Sequence, residues 1–455
     1  MESCRRFHPD PPAAWRRSPM QRRDFISQSL AAGAAAMLVS PAHGTAASPD
    51  TLDLAILGAG YQGRVLLDCL MAIGGVRVRA VCDIWKYRRT LALTYLNDYE
   101  QSAAVYEDYR EMLDKTNDLH AVLVATPDFV HSEQTIACLR AGLHVYCEPP
   151  MAPTLDAAQA MADAARKSGK LLQIGYQRRS NPRYQHVHQK LLQEAKLLND
   201  ITSASTNWSQ LDLLEEGAPR RHLTIPATDL QKYGYADMRE FRNWRWFKRF
   251  CAAPFAAFAV HQVDVLNWLL GSKPKAVLAA GGNDYYKDRQ GYDNVTAIYD
   301  YPVADRVVRA TCQVLNTTSG TAGNYEQLVG IEGSVRISEN PKWTKVFHEP
   351  SAAEWDEWRS KGYLAKVNAA PGAKAESKDT PPDPNVVHVA ETGELTQYEI
   401  PVVLDSSPVQ PHLENFLAAV RGKAELNCPA DVALASEAAV LKALEAVEAR
   451  QQLTW

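Results

Sequence analysis

The sequence has no strong charge of one sign and no apolar run long enough to be read as a stable membrane span. Its net charge is −4, from 49 basic and 53 acidic residues. It has no basic stripe, which argues against nucleic acid as a partner. The eight cysteines stand at 4, 69, 82, 138, 147, 251, 312 and 428. No C-x-x-C or other metal-type spacing joins them, so they read as small buried hydrophobes. His186 and His188 could form a ligand pair, but no third ligand accompanies them, and no metal is expected. No internal repeat is visible. The remaining composition, 46% hydrophobic and 22% charged over 455 residues, is that of a globular protein with length for two or three domains.

What is present begins with a leader. Arg22 and Arg23 precede Phe25 and Ile26, a short alanine-rich apolar run follows at 30–39, and small residues lead to Pro49. Paired arginines, a short apolar core and small residues near a cut site make an export signal of twin-arginine type. A periplasmic or otherwise extracytoplasmic location is therefore expected, with 1–50 outside the fold. That route carries folded cargo, which suits a protein that loads a dinucleotide before leaving the cytoplasm.

The chain is organised around residues 54–63, where a buried apolar run ends in G-x-G-x-x-G and a helical pattern follows. Gly58 permits a tight turn, Gly60 lets the backbone approach a pyrophosphate, and Gly63 lets the helix pack on the strand. The helix start adds positive potential for phosphate. A second strand at 76–83 ends in Asp83, twenty residues after Gly63. An acid there accepts hydrogen bonds from a ribose diol and repels a 2′-phosphate, so NAD is the expected cofactor. Lys86, Arg88 and Arg89 keep NADP as the lesser alternative. Strand and helix patterns then alternate to residue 175, which argues a doubly wound parallel sheet. Ligands of such sheets lie outside the carboxyl ends of the strands. That rule gathers 58–63, Asp83, 126–128, 148–151 and 176–179 on one rim.

In order, G-x-G-x-x-G, the Cys82-Asp83 pair, Thr126-Pro127-Asp128 with His131, Glu148 before Pro150-Met151, and Gln177-Arg178-Arg179 resemble the Gfo/Idh/MocA oxidoreductases, of the glucose–fructose oxidoreductase and inositol dehydrogenase kind. The resemblance runs from about 52 to 450. It implies an α/β protein in two parts: a Rossmann domain over 51–175, then a substrate and oligomerisation domain over 176–410 with a large open, mostly antiparallel sheet. The local pattern agrees, with strands expected at 201–208, 276–283, 294–301, 307–315 and 325–337, the last a hairpin about Gly333. Residues 351–397 read as an irregular surface excursion. Residues 411–455 read as two amphipathic helices, which the resemblance packs back on the Rossmann domain. It also implies a homo-oligomer through the second sheet.

For the cofactor, the resemblance points to Gly58, Gly60, Tyr61, Gln62, Gly63, Asp83, Thr126, Pro127, His131, Glu148 and Gln177. For a sugar or polyol-like substrate it points to Arg178, Arg179, Trp244, Arg245 and His261. Hydride leaving a carbinol carbon needs a base for the hydroxyl proton. The family supplies a Lys after the Glu at 148 and an Asp four residues before the His at 261. Here those positions hold Pro149 and Ala257. His261 is expected to act as base, with Tyr184 as a second proton donor. Asp264, at i+3 from His261, is expected to cap or pair within the helix. The leading expectation is an NAD-dependent oxidoreductase with altered acid–base residues. A glycoside-cleaving enzyme that retains its NAD and a non-catalytic NAD-binding protein stay open beside it.

Overall fold

The computed structural model describes residues 50–211, 218, 220–319, 323–367 and 395–455. The proposed leader and most of the 351–397 excursion lie outside these residues. The first sheet runs β1 (Leu52–Leu57), β2 (Val76–Cys82), β3 (Ala104–Tyr106), β4 (Ala121–Val124), β5 (His144–Cys147) and β6 (Leu172–Ile174). Its strands are all parallel, in the order β3-β2-β1-β4-β5-β6. The order reverses between β1 and β4, and the crevice opens there. β1 and β4 are buried on both faces, which is why their sequences are unbroken apolar runs rather than alternating ones.

The helices have local causes. The Thr154 side chain accepts from Ala157 N and starts the helix Leu155–Ser168, and Gly169, at φ 67°, ends it in the left-handed region. One face of the sheet packs Leu54, Ile56, Leu66 and Leu70 against Phe416 and Leu417. The other face continues as one core into the second domain, from Val122 and Val145 through Val260 and Leu266 to Val440.

The second sheet is built from β7 (Ile201–Ser209), β8 (Ala276–Gly282), β9 (Asn294–Val303), β10 (Arg306–Leu315), β11 (Tyr325–Gly330), β12 (Gly333–Ile337), β13 (Lys345–His348), β14 (Ala365–Lys366), β15 (Thr396–Glu399) and β16 (Leu453–Thr454). The order is β14-β15-β13-β12-β11-β7-β10-β9-β8-β16. Only β7 with β10 is parallel among the described pairs. Alternate residues of β9 and β10 are buried, and their other face is open. The helix Pro254–Leu269 covers the buried face.

Two expectations need correction. The described ends of the 351–397 excursion are not irregular: they hold the short helix Asp356–Ser360 and the edge strands β14 and β15. The strands pair because Tyr398 is buried against Trp355. The carboxyl-terminal segment also does more than return to the Rossmann domain. The helix Gln410–Val420 packs there. The helix Ala430–Ala449 lies between the domains, with Tyr299 of β9 donating to its Ala439 O at 3.3 Å, and β16 adds an edge strand beside β8.

Candidate active site

The glycine loop is held by contacts that leave one face free. A Cβ on Gly58, whose φ is +89°, would stand 2.4 Å from Ala125 O, and one on Gly63 would stand 2.0 Å from Gly58 O. A Cβ on Gly60 would meet nothing within 4 Å. Gly58 and Gly63 are thus glycine for the fold, and Gly60 leaves open the space a dinucleotide backbone would fill. No side chain caps the helix Tyr61–Ile73 and no acid sits in its first turn, so its leading amides suit a phosphate. The Asp83 carboxylate accepts from Ala59 N at 2.8 Å and from Trp85 N at 2.7 Å. Each oxygen keeps a lone pair for a ribose hydroxyl. Arg89 is spent on Asp83 O and Glu107. The residues present therefore fit NAD, with Gly60, Gln62 and Asp83 as its anchors.

Farther along the rim, Gln62 Nε2 donates to Glu148 Oε1 at 3.0 Å. Burial pushes the Glu148 carboxyl up to about 7, against the opposing pull of Gln62 and the Arg245 charge. The Pro149–Pro150 bond is cis. A Cβ on Gly175 would lie 2.9 Å from Tyr146 Oη, 3.0 Å from Pro149 and 3.2 Å from Glu148 Oε2. The next residue, Tyr176, meets the His261 ring edge-on at 5.7 Å. Pro149, Glu148, Tyr176 and His261 are thereby brought to one place, where the Rossmann rim meets the second domain.

His261 stacks on Trp208 at 5.9 Å, and its Nδ1 is buried without a hydrogen-bond partner. Burial, and then the Arg178 charge, pull its pKa down to about 3. Burial and the neighbouring guanidinium thus favour the neutral imidazole. A base whose conjugate acid is that strong removes a hydroxyl proton poorly. Its expected role as base is weakened, while its position beside the rim stands.

Several other expected site residues are structural ties. Tyr184 is fully buried and donates to Glu326 Oε2 at 2.8 Å, so its proton has no path to a substrate. Arg178 is buried beside it on Glu326. Arg179 grips Asp264 with two bonds, at 2.7 and 2.9 Å, and Ser436 adds a third at 3.0 Å. Asp264 was expected to cap or pair within its own helix; its partners instead come from other elements, because burial at the domain junction brings Arg179 and Ser436 to it. His131 has Nε2 2.7 Å from Thr126 O and Nδ1 2.9 Å from Pro150 O, and, held neutral by burial, its single N–H donates to one of these carbonyls. It lies as a strut between the ends of β4 and β5. Thr126 itself donates to Gln134 at 2.7 Å. Pro127 precedes the helix Asp128–Arg140, and Tyr61 is open to solvent at 78% exposure.

Gln177 Nε2 donates to Glu339 Oε1 at 3.1 Å. Trp244 carries the Arg245 guanidinium over its ring at 4.3 Å. Arg245 is exposed and makes no hydrogen bond or ion pair among the described residues. Its charge nonetheless reaches Asp128, His131 and Glu148.

Glu437 and Trp208 were not anticipated at the site, and Tyr176 was expected only as part of the 176–179 rim segment. Glu437 Oε1 accepts from Met151 N at 2.6 Å and from Tyr176 Oη at 2.8 Å. It thus fastens the Pro149–Pro150 turn to the last long helix. A buried acid inside an alanine-rich helical pattern was the one signal available. Among the described residues no cluster of three His, Cys, Asp or Glu could hold a metal, and no helix is long and apolar enough to cross a membrane.

Comparison with known proteins places both domains. Residues 52–176 match the model of an oxidoreductase family with an NAD-binding Rossmann fold, and 225–336 match the GFO/IDH/MocA C-terminal domain. Inositol 2-dehydrogenase of Salmonella typhimurium is 28% identical over 229 residues, 50% of this chain and 57% of the relative. The 4-carboxy-2-hydroxymuconate-6-semialdehyde dehydrogenase of a Sphingobium species is 28% identical over 175 residues, 37% of this chain and 51% of the relative. The chain thus spans about half the length of the curated relatives it matches. Two solved structures share the fold. One is the WlbA dehydrogenase of Bordetella pertussis in complex with NADH and UDP-GlcNAcA, at TM-score 0.65 and 17% identity, covering 90% of this chain and 98% of that one. The other is an aldose–aldose oxidoreductase of Caulobacter crescentus complexed with glycerol, at TM-score 0.63 and 18% identity, covering 89% and 99%. With both domain models matched across more than half of its residues, and the glycine cradle and ribose acid in place, this chain belongs to the Gfo/Idh/MocA family and carries its NAD-binding Rossmann domain.

Proposed function

We propose that this protein is an NAD-dependent oxidoreductase acting on a sugar or polyol-like substrate, without the Lys and Asp that the family resemblance places at Pro149 and Ala257. The observation that carries this reading is the convergence of the open Gly60 cradle and Asp83 with Glu148, Tyr176 and His261 on one rim. When bound, NAD supplies the hydride acceptor. The protein must then take the hydroxyl proton. Glu148, poised near neutrality beside Pro149, suits that task better than the acid-shifted His261. His261 offers one hydrogen bond from Nε2 to orient the substrate.

Arg245 stands in for the absent ammonium as a source of positive charge. A guanidinium steadies an oxyanion but does not accept a proton, so charge and proton are handled by different residues. The inositol dehydrogenase relatives and the aldose–aldose oxidoreductase neighbour support the sugar or polyol-like substrate class. The test is incubation of the protein with NAD and a panel of aldoses, inositols and their nitrophenyl glycosides. Net NADH supports the reading. Nitrophenol release without net NADH would instead favour the NAD-retaining glycoside-cleaving reading. Bound dinucleotide with neither outcome would leave a non-catalytic binding protein.

We further propose export by the twin-arginine leader at 22–23. The seven described cysteines are buried and unpaired, which fits a chain folded in a reducing compartment first. Replacing Arg22 and Arg23 with lysine should leave the protein in the cytoplasm. Assembly through the open face of the second sheet is the matching proposal. Leu278 and Ile298 face each other there, 47% and 38% exposed. Ile298→Lys should lower the mass seen by light scattering, and an unchanged mass would refute that interface.

A further inference from the structure

Arg245 carries a charge that the rim around it does not cancel. The turn that holds it is fixed on both sides. Trp246 N donates to Asn243 O at 2.9 Å, and Trp246 O accepts from Gln290 N at 3.0 Å and Gly291 N at 3.1 Å. A Cβ on Gly291 would lie 3.5 Å from Arg245 O, so the loop from the second domain runs close along the turn. Farther on, Phe250 packs on Phe129, in the loop after β4, at 4.9 Å. Between these anchors the Arg245 guanidinium lies over the Trp244 ring at 4.3 Å. A guanidinium held by its face keeps its N–H edges for a planar acceptor.

Other arginines of the region are taken. Arg178 pairs with Glu326, Arg179 with Asp264, Arg239 with Asp288 and Arg249 with Glu240. The acids that Arg245 reaches, Asp128 and Glu148, answer it only in part, because burial favours the protonated form of each. The helix Pro254–Leu269 adds no negative charge beside His261. Its partly exposed positions there are Ala257 and Phe258. Its one acid, Asp264, is buried and gripped by Arg179. A substrate that covered Arg245 with hydroxyls alone would take water from the charge and return no counter-charge. A carboxylate would meet the fork with two parallel bonds.

We propose that the substrate is a sugar acid, an aldonate or uronate, whose carboxylate is held by Arg245 while a hydroxyl is presented to Glu148. The inference rests on the oxidoreductase reading and narrows its substrate class. The step stays balanced: the carbinol carbon loses hydride to the nicotinamide, the hydroxyl proton passes to Glu148, and the carboxylate is unchanged. The guanidinium has more than one N–H edge, so it can hold the carboxylate and still face the reacting oxygen.

The test has a binding arm and a turnover arm. The full-length protein, loaded with NADH, is titrated by calorimetry with D-glucuronate, D-galacturonate and D-gluconate, and with D-glucose, D-galactose and D-sorbitol as their uncharged counterparts. The wild type should bind at least one acid about 10-fold or more tighter than its counterpart, as a charge-assisted pair provides. Turnover with NAD should show the same preference in kcat/KM, and rising salt should shrink it. Arg245→Gln should bring the preference below about 2-fold and leave NADH affinity as it was, and Arg245→Lys, a point charge without the fork, should keep part of it. Melting curves identify a variant that has merely unfolded. Equal affinity for acids and neutral sugars, or no affinity for any of the acids, overturns the sugar acid, and NADH formed from the neutral sugars then leaves the oxidoreductase reading standing. Acid-selective binding without NADH formation does the reverse. Tighter binding of glucose 6-phosphate than of glucuronate overturns the carboxylate, and a loss of NADH affinity in Arg245→Gln gives the guanidinium to the dinucleotide instead.

Discussion

Gly60→Ala separates folding from cofactor binding at a single atom. Gly60 has φ −69°, an ordinary value for alanine. The added methyl would meet no protein atom within 4 Å. The fold should therefore tolerate it, with a stability change between zero and a gain of about 1 kcal/mol from the stiffer unfolded chain. The same methyl would stand in the space left for the pyrophosphate, so NADH binding should be lost. Gly58→Ala and Gly63→Ala are the controls. The first puts a side chain at φ +89° with a carbonyl oxygen 2.4 Å from its Cβ. The strained backbone alone costs about 1–2 kcal/mol. The second forces Cβ to 2.0 Å from Gly58 O. Both should lower the melting temperature, whereas Gly60→Ala should not. Thermal melts paired with NADH titration by calorimetry decide the matter. A folded Gly60→Ala protein that binds NADH as the wild type does would refute the assignment of the cradle.

The remaining predictions concern buried charge and the altered acid–base pair. Arg179→Met leaves Asp264 buried without its two-bond partner and should cost about 3–5 kcal/mol by urea denaturation, much of it recovered in Arg179→Met with Asp264→Asn. Glu437 has its folded pKa raised to about 8 by burial. Its unfolded form loses the proton near pH 4.5, so the wild type should lose stability as pH rises from there to about 8. Glu437→Gln should abolish that loss, the gap growing by up to about 1.4 kcal/mol per pH unit. Parallel stability curves for the two proteins would exclude a buried, protonated Glu437. Pro149→Lys with Ala257→Asp should raise NADH formation on whichever polyol is turned over, and no gain in a folded double variant would show that more than those two groups has changed.

The rim was legible because its signals are local. A strand, a glycine turn, a helix start and an acid twenty residues later can be read within one stretch, and Gly58, Gly60, Gly63 and Asp83 stand where that logic puts them. In the second sheet β7 to β12 were also legible from their alternation, whereas the short edge strands β13 to β16 were not. Burial of polar groups was not. Arg178 and Tyr184 look like surface chemistry until Glu326, 148 and 142 positions away, is placed beside them. Tyr176 and Glu437 meet across 261 positions. His131 reads as a ligand because only the folded chain brings Pro150 O to its second nitrogen. His261 was found by motif, but its depressed basicity comes from Trp208, Tyr176 and Arg178 packing around it, which no spacing announces.

The helix Ala430–Ala449 has a consequence for truncation. It carries the Glu437 that fixes Met151 and Tyr176, and the Ser436 that joins the Arg179–Asp264 pair. A nascent or truncated chain lacking it would have its glycine turn and its ribose acid but an unfastened reaction centre. The order of the turn at Met151 and of Tyr176 thus depends on a helix more than 250 positions farther along the chain.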